Sequence, residues 1–100
     1  MRYNKLVRDN IIKIIEKKGG KAKWHIAGDN EYHAKLKEKI LEEVKEFIKT
    51  ENVEEMADIF EVISAFLKLK GWSFEGVIAV QKKKHEERGG FGKKIILEES

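Results

Sequence analysis

Two pairs of acidic residues stand out because each pair has the spacing of neighbouring positions on a helix. Glu43 and Glu46 lie in the segment ILEEVKEF, and Glu55 and Asp58 lie in VEEMADIF. Residues three apart share one helix face, so each pair can direct its oxygens toward the same point. Carboxylates that lie so close repel one another unless a cation lies among them. If the two helices lie side by side, the four carboxylates predict a site for a hard divalent cation such as Mg²⁺.

The surroundings of the second pair distinguish it from an ordinary charged surface. When residues 52–70 are placed on a helix, three charged residues at seven-residue spacing form a narrow stripe that we expect to face solvent: Glu54, Glu61 and Lys68. Glu55 and Asp58 lie off this stripe, among apolar positions. Carboxylates in such surroundings are seldom left without a partner. The first pair alone would more often be a solvated helix flank, and the second pair makes the functional interpretation the stronger one.

Composition narrows the class of protein. One hundred residues predict a single domain, residues 1–100, and the absence of cysteine excludes disulfides and thiolate metal sites. The net charge of +3 is small, which gives little reason to expect a nucleic-acid partner. No apolar segment approaches the roughly 20 residues of a membrane span, and the first residues lack an apolar signal segment. We therefore expect a cytoplasmic protein with no membrane partner.

Helical periodicity and the positions of Gly, Ser, Asn and Asp predict a mostly α protein. Asp9 is expected to cap the first helix, and Gly19 with Gly20 to end it. Weak alternation predicts two short strands that could pair with each other. The predicted helices cover residues 9–18, 29–50, 52–70 and 73–88, and the predicted strands cover residues 21–27 and 93–98. The fold class is a helical bundle with a small accessory pair of strands.

The helix at residues 52–70 is apolar on nearly every side, which is typical of a central, buried element. The next helix adds an inward side that is expected to contain Phe74, Val77, Ile78 and Val80. The helix at residues 52–70 is apolar on too many sides for a chain of 100 residues to cover by itself. We therefore expect self-association into at least a dimer.

Three segments together resemble a known family. EEVKE followed by EMAD resembles the EExxE…ExxD signature of the MazG-like nucleoside triphosphate pyrophosphohydrolases, an all-α superfamily. NKLVRDNI resembles the KLVRDKIP opening of a small single-domain branch, and HEERGGFGKKIILEE resembles its C-terminal RGGF segment. The matching segments run from about Asn4 to Glu99. Asn10 and Ile12 depart from the Lys and Pro of the opening motif, which leaves the acidic set untouched.

The resemblance implies an activity and a set of site residues. Family members hydrolyse nucleoside triphosphates between the α and β phosphates to a nucleoside monophosphate and pyrophosphate, with Mg²⁺ and as dimers at least. The implied metal ligands are Glu42, Glu43, Glu46, Glu55 and Asp58. The implied phosphate-binding residues near the C-terminal end are Lys84 and Arg88, with Lys5 and Arg8 as weaker candidates. Either Glu46 or Glu55 is the general base, and the sequence does not decide between them.

Several alternatives stay open. Nucleotide-pool house-cleaning is the leading role within the family, and phosphoribosyl-ATP hydrolysis is the second. A non-catalytic helical adaptor that binds nucleic acid through residues 82–88 is the alternative of another class, although it would gain nothing from buried carboxylates. Glu42 points away from the apolar stripe, so a surface role is as good an interpretation as a ligand role. The RGGF segment could be a helix stop followed by a turn.

Overall fold

A computed structural model describes residues 4–100 and consists of helices joined by loops. The helices are α1 (Ile11–Lys17), α2 (Asp29–Thr50), α3 (Val53–Lys70) and α4 (Phe74–Arg88). The chain divides into two compact units, Met1–Phe66 and Leu67–Ser100, and the division falls within α3. The prediction of a mostly α protein is confirmed for the described residues. Among these residues, no helix combines the length and the apolar character that crossing a membrane requires.

The predicted pair of strands does not form in the described part of the chain. Residues 21–27 are irregular, and residues 93–98 follow a turn without entering a strand. Ile26 is 83% exposed and Ile96 is 82% exposed, so neither segment buries an apolar face. A two-stranded ribbon without such burial is at best marginally stable, which explains why weak alternation was a poor predictor here.

The first helix ends close to the predicted residue, but its N-cap lies one residue later than predicted. Asn10 occupies the N-cap position in place of Asp9, and its side chain makes no capping hydrogen bond. At the other end, the Gly20 N–H donates to the Ile15 carbonyl and the Gly19 N–H donates to the Glu16 carbonyl, both at 3.0 Å. This pair of hydrogen bonds is a Schellman motif. It requires a positive φ after the C-cap, and Gly19 supplies it at +86°.

α2 and α3 form an antiparallel helical hairpin with a very short connection. Glu51 adopts the left-handed conformation with φ 48°, and the Asn52 side chain accepts a hydrogen bond of 2.9 Å from the N–H of Glu55. Asn52 is therefore the predicted cap of α3. The contacts show that the helices are antiparallel, because an earlier residue of α2 meets a later residue of α3. Glu43 lies near Asp58, and the His33 ring meets the Phe66 ring edge-on, with centroids 6.4 Å apart.

Few residues are fully buried in the single chain. Leu36 of α2 and Val62 of α3 are the buried apolar residues of the described chain, and both belong to the hairpin. The contact between α2 and α3 thus contains the buried apolar core of the described chain.

The unit that contains α4 leaves its apolar side chains exposed. The Ser73 hydroxyl accepts a hydrogen bond of 3.0 Å from the Gly76 N–H, and Gly89 ends the helix, as predicted. The prediction that one side of this helix faces inward is wrong for the single chain. Its four large apolar residues are between 42% and 58% exposed: Phe74, Val77, Ile78 and Val80. The chain alone therefore does not cover its apolar surface.

Candidate metal centre

Three carboxylates converge at the closed end of the α2–α3 hairpin. Glu43 comes from α2, and Glu55 and Asp58 come from the first two turns of α3. One oxygen from each carboxylate lies within 4.8 Å of the others. The short connection between the helices places the last two turns of α2 opposite the start of α3. The predicted convergence of acidic residues from two helices is thus present for these three.

Glu43 is the most deeply placed of the three. It is only 9% exposed, and it is the one charged residue among the buried residues of the described chain. The Lys39 Nζ lies 3.4 Å from its Oε1, one helical turn earlier on α2. Two cations contact the three carboxylates, Lys39 at Glu43 and Arg8 at Asp58, so the negative charge of the cluster is only partly balanced within the described residues. A buried carboxylate needs a positive charge nearby, and Lys39 supplies one for Glu43.

Glu55 shows the electrostatic consequence of the convergence. Partial burial raises the pKa of its carboxyl group, and the negative charges of Asp58, Glu43 and Glu46 raise it further. A hydrogen bond with Asp58 acts in the same direction. Removal of the proton from Glu55 therefore brings a further negative charge into a site that already repels it. A divalent cation would reverse this repulsion.

Glu46 and Glu42 have different surroundings from the three clustered carboxylates. Glu46 is close enough for its charge to raise the pKa of Glu55, yet it lies outside the group of three. Glu42 receives a hydrogen bond of 3.2 Å from Lys5 and lies 3.5 Å from the Lys39 ammonium. Partial burial would raise the pKa of Glu42, but the hydrogen bond from Lys5 and the charge of Lys39 outweigh it and lower the pKa. The structure therefore places Glu42 in ion pairs.

Arg8 contacts the cluster directly. Its Nη2 donates to Asp58 Oδ1 at 2.7 Å, and its Nη1 lies 3.6 Å from Glu61 Oε1. The sequence predicts Arg8 only as a phosphate-binding candidate and Glu61 as part of a stripe that faces solvent. No local spacing could have found this contact, because 50 residues separate Arg8 from Asp58.

The predicted phosphate-binding residues Lys84 and Arg88 lie in the last two turns of α4 and are exposed. They belong to the unit Leu67–Ser100, and the three clustered carboxylates belong to the unit Met1–Phe66. Within its own unit, Arg88 lines a groove of about 550 Å³. Two further cations line the same groove, Lys93 and Lys94. Both lysines belong to the predicted strand at residues 93–98, and the sequence pattern does not indicate them as anion-binding candidates.

The donor set at the hairpin fits a hard divalent cation. All the available ligand atoms are carboxylate oxygens, which are the ligands that Mg²⁺, Mn²⁺ and Ca²⁺ prefer. No cysteine is present, and no histidine belongs to the group, which argues against a zinc site. Three carboxylates leave further coordination positions for water or for substrate oxygens, as Mg²⁺ usually requires.

Comparison of the chain with known family models, with curated proteins and with solved structures finds no match in any of the three. The interpretation of the site therefore depends on its own geometry and on the motifs described above.

Proposed function

We propose that the protein is a Mg²⁺-dependent hydrolase that cleaves nucleoside triphosphates between the α and β phosphates, with a nucleoside monophosphate and pyrophosphate as products. The observation that carries the proposal is the convergence of Glu43, Glu55 and Asp58 within 4.8 Å at a helical hairpin. The resemblance of EEVKE, EMAD, the opening segment and RGGF to the MazG-like family supplies the reaction type. A role in nucleotide-pool house-cleaning follows from the same resemblance.

In this proposal, Glu43, Glu55 and Asp58 hold the cation. When bound, Mg²⁺ neutralises the charge of the polyphosphate and orients its oxygens. Hydrolysis of a phosphoanhydride also needs a group that orients or deprotonates the attacking water. Glu46 is favoured for this task because it lies near Glu55 but outside the three clustered carboxylates. A carboxylate that is free of the metal can accept the proton.

The leaving pyrophosphate needs cationic contacts, because its negative charge increases as the bond breaks. Lys84 and Arg88 are proposed for this role from the resemblance. Lys93 and Lys94 line the groove beside Arg88 and can add to its positive charge. Lys5 and Arg8 pair with Glu42 and Asp58 in the structure, which makes them weaker candidates for phosphate binding.

The proposal includes self-association into a dimer or a larger homo-oligomer. Its support is the exposure of apolar side chains on α4 and in the C-terminal segment, where Phe91 is 98% exposed and Ile95 is 78% exposed. Exposed apolar surface of this extent is unusual for a monomer. In an assembly, the residues at 21–27 and 93–98 would also have a partner surface on which the expected short strands could form.

The test is a product assay across the natural ribo- and deoxynucleoside triphosphates and phosphoribosyl-ATP, with Mg²⁺ and with EDTA. The reaction is followed by ³¹P NMR, which separates pyrophosphate from orthophosphate. We expect monophosphate and pyrophosphate in equal amounts, and no product with EDTA. Release of orthophosphate would assign the cleavage to a different bond, and the absence of turnover with every substrate would contradict the proposed activity.

A further inference from the structure

An ion pair joins the segment before α1 to a carboxylate of the proposed metal site on α3. Arg8 donates from Nη2 to Asp58 Oδ1 at 2.7 Å, and its Nη1 lies 3.6 Å from Glu61 Oε1. Asp58 and Glu61 are three residues apart on α3, so one guanidinium group can lie across both. A planar guanidinium presents several donors at fixed angles, which suits two acceptors on one helix face.

Of the two partners of Arg8, only Asp58 belongs to the group of three converging carboxylates. The guanidinium thus already provides one positive charge at the edge of the cluster. It contacts one of the three members, whereas a divalent cation at their centre would contact all three. Both cations would draw on the one negative charge of Asp58 and would repel each other at this distance, so their occupancies are linked.

The ion pair is weak enough to exchange. The Arg8 side chain is 54% exposed and the Asp58 side chain is 39% exposed, so water competes for both groups. Exposed pairs of this kind contribute little net stability. After it leaves Asp58, Arg8 would still have Glu61 as an acceptor, because Glu61 lies outside the cluster.

We infer that Arg8 is an internal counter-ion of the carboxylate cluster, and that a divalent cation binds by displacing its guanidinium from Asp58. This inference depends on the proposed function, because it assumes that the cluster is the metal site. Arg8 then acts as a competitor that weakens cation binding in the resting protein. Once displaced, its donors become available to an anion near the metal.

The experiment measures Mn²⁺ affinity by electron paramagnetic resonance in the wild type, Arg8→Gln, Arg8→Lys and Lys13→Gln. Lys13 lies on α1 and controls for the loss of one positive charge. Loss of an exposed ion pair predicts affinity that is about two- to fivefold tighter in Arg8→Gln. Arg8→Lys should lie between this variant and the wild type, and Lys13→Gln should match the wild type. Circular dichroism checks that each variant keeps its helix content.

A second readout follows the guanidinium itself. The Nε–Hε signal of Arg8, assigned by its absence in Arg8→Gln, should shift as Mg²⁺ saturates the wild type. If the wild type binds Mn²⁺ but Arg8→Gln binds it no more tightly, or if the signal does not move, the inference is wrong and the proposed metal site stands. If neither protein binds Mn²⁺, the proposed function fails and the inference fails with it.

Discussion

Asp58 lies at the meeting point of opposite charges. It accepts a hydrogen bond from Arg8 and also belongs to the group of carboxylates that includes Glu43 and Glu55. In the proposed function, a residue so placed contributes to metal binding through its charge, whereas we expect its contribution to folding to be small because attraction and repulsion oppose each other. Substitution can therefore separate function from stability at this position.

Asp58→Asn should lower turnover by at least about 100-fold, because the loss of one metal ligand removes several kcal/mol of charge stabilisation. The melting temperature without metal should change little, because the substitution has two opposing effects. It weakens the stabilising pair with Arg8, and it also reduces the destabilising repulsion among the carboxylates. Steady-state kinetics and thermal unfolding measure the two effects. Glu54→Gln is the matched control, because Glu54 is an exposed acid on the same helix. Full turnover in Asp58→Asn would contradict the metal role.

The raised pKa of Glu55 predicts that the stability of the folded protein depends on pH. Partial burial and the charges of Asp58, Glu43 and Glu46 raise its pKa in the folded chain. An acid with a raised pKa binds its proton more tightly when folded, so its stabilising contribution is present at low pH. That contribution is lost as the pH rises through the raised pKa. Above that pH, the ionised Glu55 destabilises the metal-free protein.

Glu55→Gln should therefore raise the melting temperature in EDTA at neutral pH, and the gain should shrink as the pH falls below the raised pKa of Glu55. Thermal unfolding at a series of pH values measures this difference against the wild type. Glu54→Gln again serves as the control, with no comparable trend expected. A gain that stays constant across the pH series, or a loss at neutral pH, would show that the carboxylates do not repel one another as described.

At the scale of the elements, the site depends on where α3 begins. The Asn52 side chain caps α3 by accepting a hydrogen bond from the Glu55 N–H. The carboxylate of Glu55 in turn lies beside those of Glu43 and Asp58. The connection before it is short, with Glu51 in the left-handed conformation. A shift of this boundary would move both acidic residues of α3 relative to α2.

Asn52→Ala should destabilise the protein by about 1 kcal/mol, because the N–H of Glu55 loses its side-chain acceptor. Asn52→Asp should retain the cap. Chemical denaturation measures both variants, and Mn²⁺ affinity should fall in the alanine variant alone as the first turn of α3 frays. Equal stability of the alanine variant and the wild type would mean that the cap does not hold the start of the helix.

The sequence predicted the helices well and the strands badly, for physical reasons that differ. Residues such as Ser73 and Gly71 mark helix ends through local hydrogen bonds and a positive φ, so the ends of α3 and α4 lie within one residue of the prediction. Strands at 21–27 and 93–98 would need a partner surface, which local patterns do not encode. In the site, spacing predicted four converging carboxylates, of which Glu43, Glu55 and Asp58 lie together and Glu46 lies outside the group. The pairing of Arg8 with Asp58 depends on tertiary structure, which spacing does not encode.

At the scale of the whole molecule, the exposed apolar surface predicts self-association. Val80 on α4 is 58% exposed, and Phe91 is almost fully exposed. For a chain of 11.6 kDa with this surface, a second copy that covers the apolar side chains would stabilise the assembly. The proposed site would then belong to an assembly, although its three carboxylates come from a single chain.

Light scattering coupled to size-exclusion chromatography should give a mass of at least twice 11.6 kDa for the wild type. Val80→Glu should lower the mass toward that of the monomer, because it places a charge on the apolar surface. Gln81→Glu introduces the same charge at the next position of the same helix and should leave the mass unchanged. A wild type that elutes as a monomer at high micromolar concentration would contradict self-association.

The central claim is that Glu43, Glu55 and Asp58 bind a divalent cation together. Anomalous diffraction from crystals grown with Mn²⁺ tests it directly, because the signal locates the ion without assumptions about activity. We predict a peak between α2 and α3 with these three carboxylates as ligands and with Arg8 moved away from Asp58. A peak at other residues, or none at the hairpin when Mn²⁺ is saturating, would contradict the account.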